Sequence, residues 1–76
     1  MAITEDNLLI TIGTRLTEAR KTAGLSRKTA TQKLNISEQT LCSYELGRRE
    51  LNTEVGLRMT EVYNITFERL TNYKNI

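Results

Sequence analysis

Four polar side chains share one helical face in a short stretch of the chain: Glu38, Gln39, Cys42 and Ser43. Leu41 and Tyr44, three residues apart, fall on the opposite face and can anchor such a helix to a core. The polar face is short-chained and rich in hydrogen-bonding groups. The Gln39 amide can bond an adenine edge through both its donor and its acceptor, worth about 1–3 kcal/mol of discrimination between bases. Glu38 can accept from cytosine N4, and it equally suits the positive end of a helix dipole. Ser43 reads weakly, and Cys42 is a small neutral filler, with a redox switch through its oxidation as the alternative. Cations flank this face on both sides, Arg27 and Lys28 before it and Arg48 and Arg49 after it. Together they fit a surface for double-stranded DNA, with base edges read by the polar face and phosphates met by its basic borders.

The charge distribution supports that reading. Between residues 13 and 33, Arg15, Arg20, Lys21, Arg27, Lys28 and Lys33 stand against Glu18 alone, although the whole chain carries only +2. The first twelve residues are acidic through Glu5 and Asp6, and the last 25 are balanced. Catalysis has no support. The chain contains no histidine, which removes the commonest general base and metal ligand. Its one cysteine has no partner for a disulfide, a metal cluster or a nucleophilic dyad. The glycines, at 13, 24, 47 and 56, form no phosphate loop. The protein is therefore expected not to be an enzyme, with no cofactor, metal or small-molecule effector. No apolar run suits a membrane span or a signal peptide, so a cytoplasmic location is expected.

The elements that would carry this face are helical. With 76 residues, no proline and little glycine, the chain reads as one all-α domain over 1–76, a compact bundle of about five helices. The first helix runs from about 5 to 22, with Leu8, Leu9, Ile12, Leu16, Ala19 and Ala23 as its apolar face and Gly24 as its stop. Gly13 lowers helicity within that run, which leaves a later start near residue 12 open. Ser26 caps a second helix over 27–33, and Asn35 tolerates the turn that follows. Ser37 caps a third, which reaches about Leu46 before Gly47 ends it. Asn52 or Thr53 caps a fourth, carrying Val55, Met59, Val62 and Tyr63, with Asn64 as its stop. Thr66 caps a fifth, with Phe67 and Leu70 facing inward.

The second and third helices, joined by about three residues, form a helix-turn-helix unit over 26–46. In that motif the second helix lies in the major groove while the first crosses the backbone. The residues carry a resemblance as well. Over Ile12–Leu70, the stretches IGTRLTEARKTAGLS, KLNISEQTLCSYELGRRE and EVYNITFERL resemble the Xre/Cro-type, lambda-repressor-like family. Its specific marks are Arg20, Gly24-Leu25-Ser26, Leu34, Ile36-Ser37, Tyr44-Glu45 and Gly47-Arg48. The resemblance implies a DNA-binding transcriptional regulator, most often a repressor. It implies base contacts from Glu38, Gln39, Cys42 and Ser43, and backbone contacts from Ser26, Arg27, Lys28, Thr40, Arg48 and Arg49. It also implies an internal salt bridge between Arg20 and Glu45. The chain departs from the family at Arg27, where glutamine is usual. It departs again at Ala30 and Thr31, where leucine and alanine are usual and threonine should open the packing slightly. Asn35 replaces the turn glycine. Gly56 stands at a core leucine position, which should weaken the fourth helix.

Phe67, Leu70, Tyr73 and Ile76 give the C-terminal segment more apolar surface than a five-helix core needs, and they are the expected homodimer contacts. The alternative is that they close the monomer core. The same resemblance admits phage or other mobile-element origins. A second reading of the fold is a protein-interaction module, an antitoxin or antirepressor, which would rely on Phe67, Tyr73 and Ile76 rather than on the arginines. RNA is the weaker partner, because few aromatics are placed to stack bases.

Overall fold

The computed structural model describes residues 5–71, and those residues form five helices. They are α1 (Glu5–Thr22), α2 (Arg27–Leu34), α3 (Glu38–Glu45), α4 (Thr53–Tyr63) and α5 (Phe67–Thr71). The all-α expectation holds, and α1 passes through Gly13 without a break. Local chemistry sets most of the boundaries. Ser26 Oγ accepts from the Thr29 amide at 3.1 Å and Ser37 Oγ from the Thr40 amide at 3.0 Å, each satisfying an otherwise open N-terminal donor. Asn52, rather than Thr53, caps α4, its Oδ1 accepting from Glu54 and Val55. Asn35 and Asn64 end α2 and α4 in the left-handed region, at φ 58° and 55°. There the amides of Ile36 and Ile65 fold back to carbonyls five residues earlier.

Leu16, Leu34, Leu41, Met59 and Leu70, one from each helix, are fully buried and meet in the centre. Each such side chain contributes about 1.5–3 kcal/mol by leaving water. Ala19, Ala30, Tyr44, Val55 and Tyr63 complete the buried set. Three expectations about the apolar faces change. Ala23 is exposed beyond the last turn of α1, and Leu8 and Leu9 are only half-buried. Phe67 does not face fully inward: it remains 38% exposed. Its ring lies over α4 where Gly56 leaves room, 2.9 Å from where a Cβ would stand. The aromatic of α5 thus covers the place where the family has a leucine. Leu70, by contrast, is fully buried within one copy of the chain, so it closes the monomer core and is withdrawn as a dimer contact. Tyr73 and Ile76 lie outside the described residues. Thr31 is buried, but its hydroxyl donates to the Lys28 carbonyl at 2.8 Å, which satisfies the polar group.

Two glycines fix how closely the recognition unit sits against α1. A Cβ on Gly13 would fall 2.7 Å from the Tyr44 carbonyl oxygen and inside contact distance of the Glu45 carbonyl. On Gly47, at φ +72°, it would fall 2.7 Å from the Ile10 Cα. The end of α3 therefore rests directly on the backbone of α1. The Tyr63 hydroxyl is buried with no hydrogen-bond partner among the described residues. Its pKa is pushed up to about 12, first by burial and then by the Glu45 carboxylate, with Arg20 acting in the opposite direction. Among the described residues, no helix is long and apolar enough to cross a membrane.

This packing sets the sign of two substitutions. Gly13→Ala would stabilise a solvent-exposed helix by up to about 1 kcal/mol, but here it should destabilise by about 2–3 kcal/mol, because the new methyl meets backbone that cannot swing away. Urea unfolding checks the sign. Tyr63→Phe should leave stability near neutral pH unchanged or raised by up to about 1 kcal/mol. In the native chain, the stability from Tyr63 is fully present below the unfolded-state pKa of about 10 and is lost as pH rises toward 12. The variant should therefore lose less stability over that alkaline window, as read by circular dichroism.

Candidate nucleic-acid interface

The turn Asn35-Ile36-Ser37 sets α3 across the end of α2, and α3 is two-faced as its sequence requires. Leu41 and Tyr44 are buried inward. Glu38 and Gln39 are exposed, and Cys42 and Ser43 are half-buried beside them. The four sequence-predicted base readers therefore occupy one surface. Arg48 and Arg49 follow within a few residues and are exposed, as are Arg27 and Lys28 at the start of α2. Arg49 also has a structural contact, its guanidinium carbon 5.5 Å from the centroid of the Tyr44 ring. That distance suits a cation–π contact, which restrains the arginine over the outer end of α3.

The two hydroxyl residues differ in what they can still offer. Ser37 Oγ donates to Thr40 Oγ1 at 2.8 Å, so Thr40 accepts within the cap and keeps its own O–H for an outside acceptor. Ser26 Oγ donates to Thr29 Oγ1 at 3.1 Å while accepting from the Thr29 amide. Its proton is thus engaged inside α2, and what it can present to an anion is the helix end that it caps.

The Arg20–Glu45 pair forms as the sequence suggests. Arg20 Nε meets Glu45 Oε2 at 2.7 Å and Nη2 meets Oε1 at 3.3 Å, a two-bonded fork. Arg20 Nη1 also donates to the Leu25 carbonyl at 2.8 Å, so one guanidinium ties together α1, the turn before α2 and α3. The sequence did not reveal the third member. Arg27 Nε donates to Glu45 Oε1 at 3.0 Å. The Glu45 side chain has no exposure, while that of Arg27 is 44% exposed. One sealed carboxylate thus serves two arginines, one buried and one at the surface. The hydrogen bond to Glu45 is the main reason that the Arg27 pKa rises above its ordinary value. Arg58 is a further residue that the sequence did not single out. Its Nη1 donates to the Leu34 carbonyl at 3.2 Å and its Nη2 pairs with Glu54, so α4 holds the open end of α2. Only the packing of α4 on α2 gives this contact, and no sequence pattern announces it. Among the described residues, no group of three or more His, Cys, Asp or Glu is arranged to hold a metal.

Residues 11–71 match the family model described as a helix-turn-helix domain. The chain belongs to the helix-turn-helix family. This agrees with the Xre/Cro-type resemblance read from its motifs. Within the family, it is 38% identical over 61 residues to the HTH-type transcriptional regulator ImmR of Bacillus subtilis (strain 168), a match covering 80% of this chain. The chain spans about half the length of that relative, 48%. A solved structure, the restriction-modification controller protein C.AhdI from Aeromonas hydrophila, superposes with a TM-score of 0.76 at 26% identity, over 82% of this chain and 94% of that one. These helix-turn-helix relatives are regulators rather than enzymes by the names they bear.

Replacing Glu45 with alanine leaves two cations facing an emptied, water-poor site, and breaking a buried pair in this way costs about 3–5 kcal/mol. Glu45→Ala should therefore lower the melting temperature sharply, and lower stability more than DNA affinity per folded molecule. An unchanged melt would contradict the geometry.

Proposed function

We propose that this helix-turn-helix protein is a sequence-specific, double-stranded DNA-binding transcriptional regulator of the cytoplasm, acting as a repressor. The observation that carries the reading is the outer face of α3. Exposed Glu38 and Gln39 stand beside Cys42 and Ser43, with the cations of α2 and of the following loop at either border. In this reading α3 enters the major groove, Gln39 contacts a base, and Arg48 and Arg49 meet the backbone on the C-terminal side. Arg27, Lys28, Thr40 and the capped start of α2 meet it on the other side.

Two copies would read two half-sites one helical turn apart, about 34–36 Å. Phe67, with 38% of its surface still exposed, is the described residue that supports a dimer contact through α5. Sedimentation equilibrium, free and on DNA, tests it: a monomeric mass in both states would reject the dimer.

The function is tested by titrating the chain against the DNA flanking its own gene at two salt concentrations, beside the double variant Arg48→Ala/Arg49→Ala. Tight binding to one segment should weaken with salt. In the double variant, the logarithmic salt slope should fall by about 2 as two phosphate contacts disappear. Weak binding, indifferent to sequence and unaffected by the double variant, would reject this function in favour of a protein-interaction module.

A further inference from the structure

Arg27 is the first residue of α2, yet its guanidinium rests on α3. Along α3, Glu38, Cys42 and Glu45 are separated by four and three residues, so they line one edge of the helix. Arg27 touches the inner end of that edge through the 3.0 Å bond to Glu45. The negative charge acting on it comes from Glu45 first and then, further along the edge, from Glu38, as expected for a cation lying along that edge. Only Nε is engaged, and no further hydrogen bond from this guanidinium occurs among the described residues. Four N–H donors remain, on a side chain still 44% exposed.

Glu45 can hold Arg27 firmly because Arg20 holds Glu45. Arg20 grips both carboxylate oxygens and is itself 7% exposed. The carboxylate has no freedom to follow a mobile surface arginine, so the arginine must come to it. An unrestrained arginine loses much rotamer freedom when it binds a phosphate, whereas one already fixed at Nε loses less.

Resting on the DNA-binding reading above, we propose that Glu45 is a positioning residue for DNA recognition as well as a structural one. It clamps Arg27 by Nε along the edge of α3 that borders its outer face, so that the remaining donors of Arg27 are pre-aimed at the DNA backbone.

A double-mutant cycle between positions 27 and 45 tests this on the full chain, with affinity for the operator corrected to the folded fraction at each step. Arg27→Ala should weaken binding and lower the logarithmic salt slope by about 1. Glu45→Gln, which keeps an acceptor oxygen but removes the charge, should weaken binding roughly fivefold with Arg27 present and have no further effect with Arg27 absent. Met59→Ala serves as the stability control: it opens the core on α4 and leaves the three clamp side chains in place, so it should lower the melting temperature with little change in corrected affinity. If Glu45→Gln changes affinity equally in both backgrounds, or in neither, Glu45 is structural only and the clamp is overturned. The clamp is overturned as well if Arg27→Ala leaves the salt slope unchanged. If the native chain shows no specific DNA binding at all, the functional reading fails first and takes the clamp with it.

Discussion

A carboxylate shut away from water must be matched by positive charge and hydrogen bonds, and Glu45 meets that demand from two directions. Arg20 reaches it from α1 and Arg27 from α2, while the residue itself ends α3. Three helices are thereby referred to a single charged group, and each also buries a leucine in the core, Leu16, Leu34 and Leu41. In a chain this small the apolar core is thin. A buried ion pair adds little net stability over an apolar contact of the same shape, but removing either partner is severe. The requirement for pairing therefore acts as a geometric rule: α1, α2 and α3 can close only in the arrangement that brings these three side chains together.

Close backbone approach enforces the same rule. Without a side chain at Gly13, the final carbonyls of α3 can lie on α1, and Gly47 lets the chain turn away over Ile10. The interhelical spacing is short enough for Arg20 to reach Glu45 with both nitrogens, instead of through one extended contact. Arg58 supplies the opposite brace, holding the last carbonyl of α2 from α4. The helix-turn-helix unit is thus held at its two ends by Arg20 and at its turn by Arg58, both from outside it, and α3 can present its outer face rigidly.

Much of this was legible in the sequence, because the determinants are local. Ser26 and Ser37 mark helix starts through their own hydroxyls, and Asn35 and Asn64 mark stops by tolerating positive φ. The three-and-four spacing of Leu16, Ala19, Leu41, Tyr44, Val55 and Met59 points inward as read. The two-faced character of α3 and the Arg20–Glu45 pair were visible too, the first by spacing and the second by resemblance. What was not legible depends on distances between elements. Arg27 looked like a free surface cation, and only the folded chain shows its Nε on Glu45. Ala23 kept the helical period but fell past the last turn of α1, where nothing packs on it. Phe67 and Leu70 were read alike, both as facing inward and both as dimer contacts. The fold separates them because α5 is a single short turn and a half: Leu70 is sealed in the core, while Phe67 lies over the gap at Gly56 and stays partly exposed.

The exposed tip of Gln39 belongs to no part of this framework, and that of Glu38 touches it only through the dipole of α3 and its field on Arg27. Among the described residues, neither side chain makes a hydrogen bond or ion pair, and neither lies in the core. Drift at Gln39 is therefore invisible to folding, and drift at Glu38 costs it at most the contact with the helix dipole, about 0.3–1 kcal/mol. A duplicated copy of the gene could exchange these side chains and keep nearly the same melting behaviour. Divergence of two such copies toward different binding sites would meet only a low stability barrier, and selection could act on the altered surface almost alone.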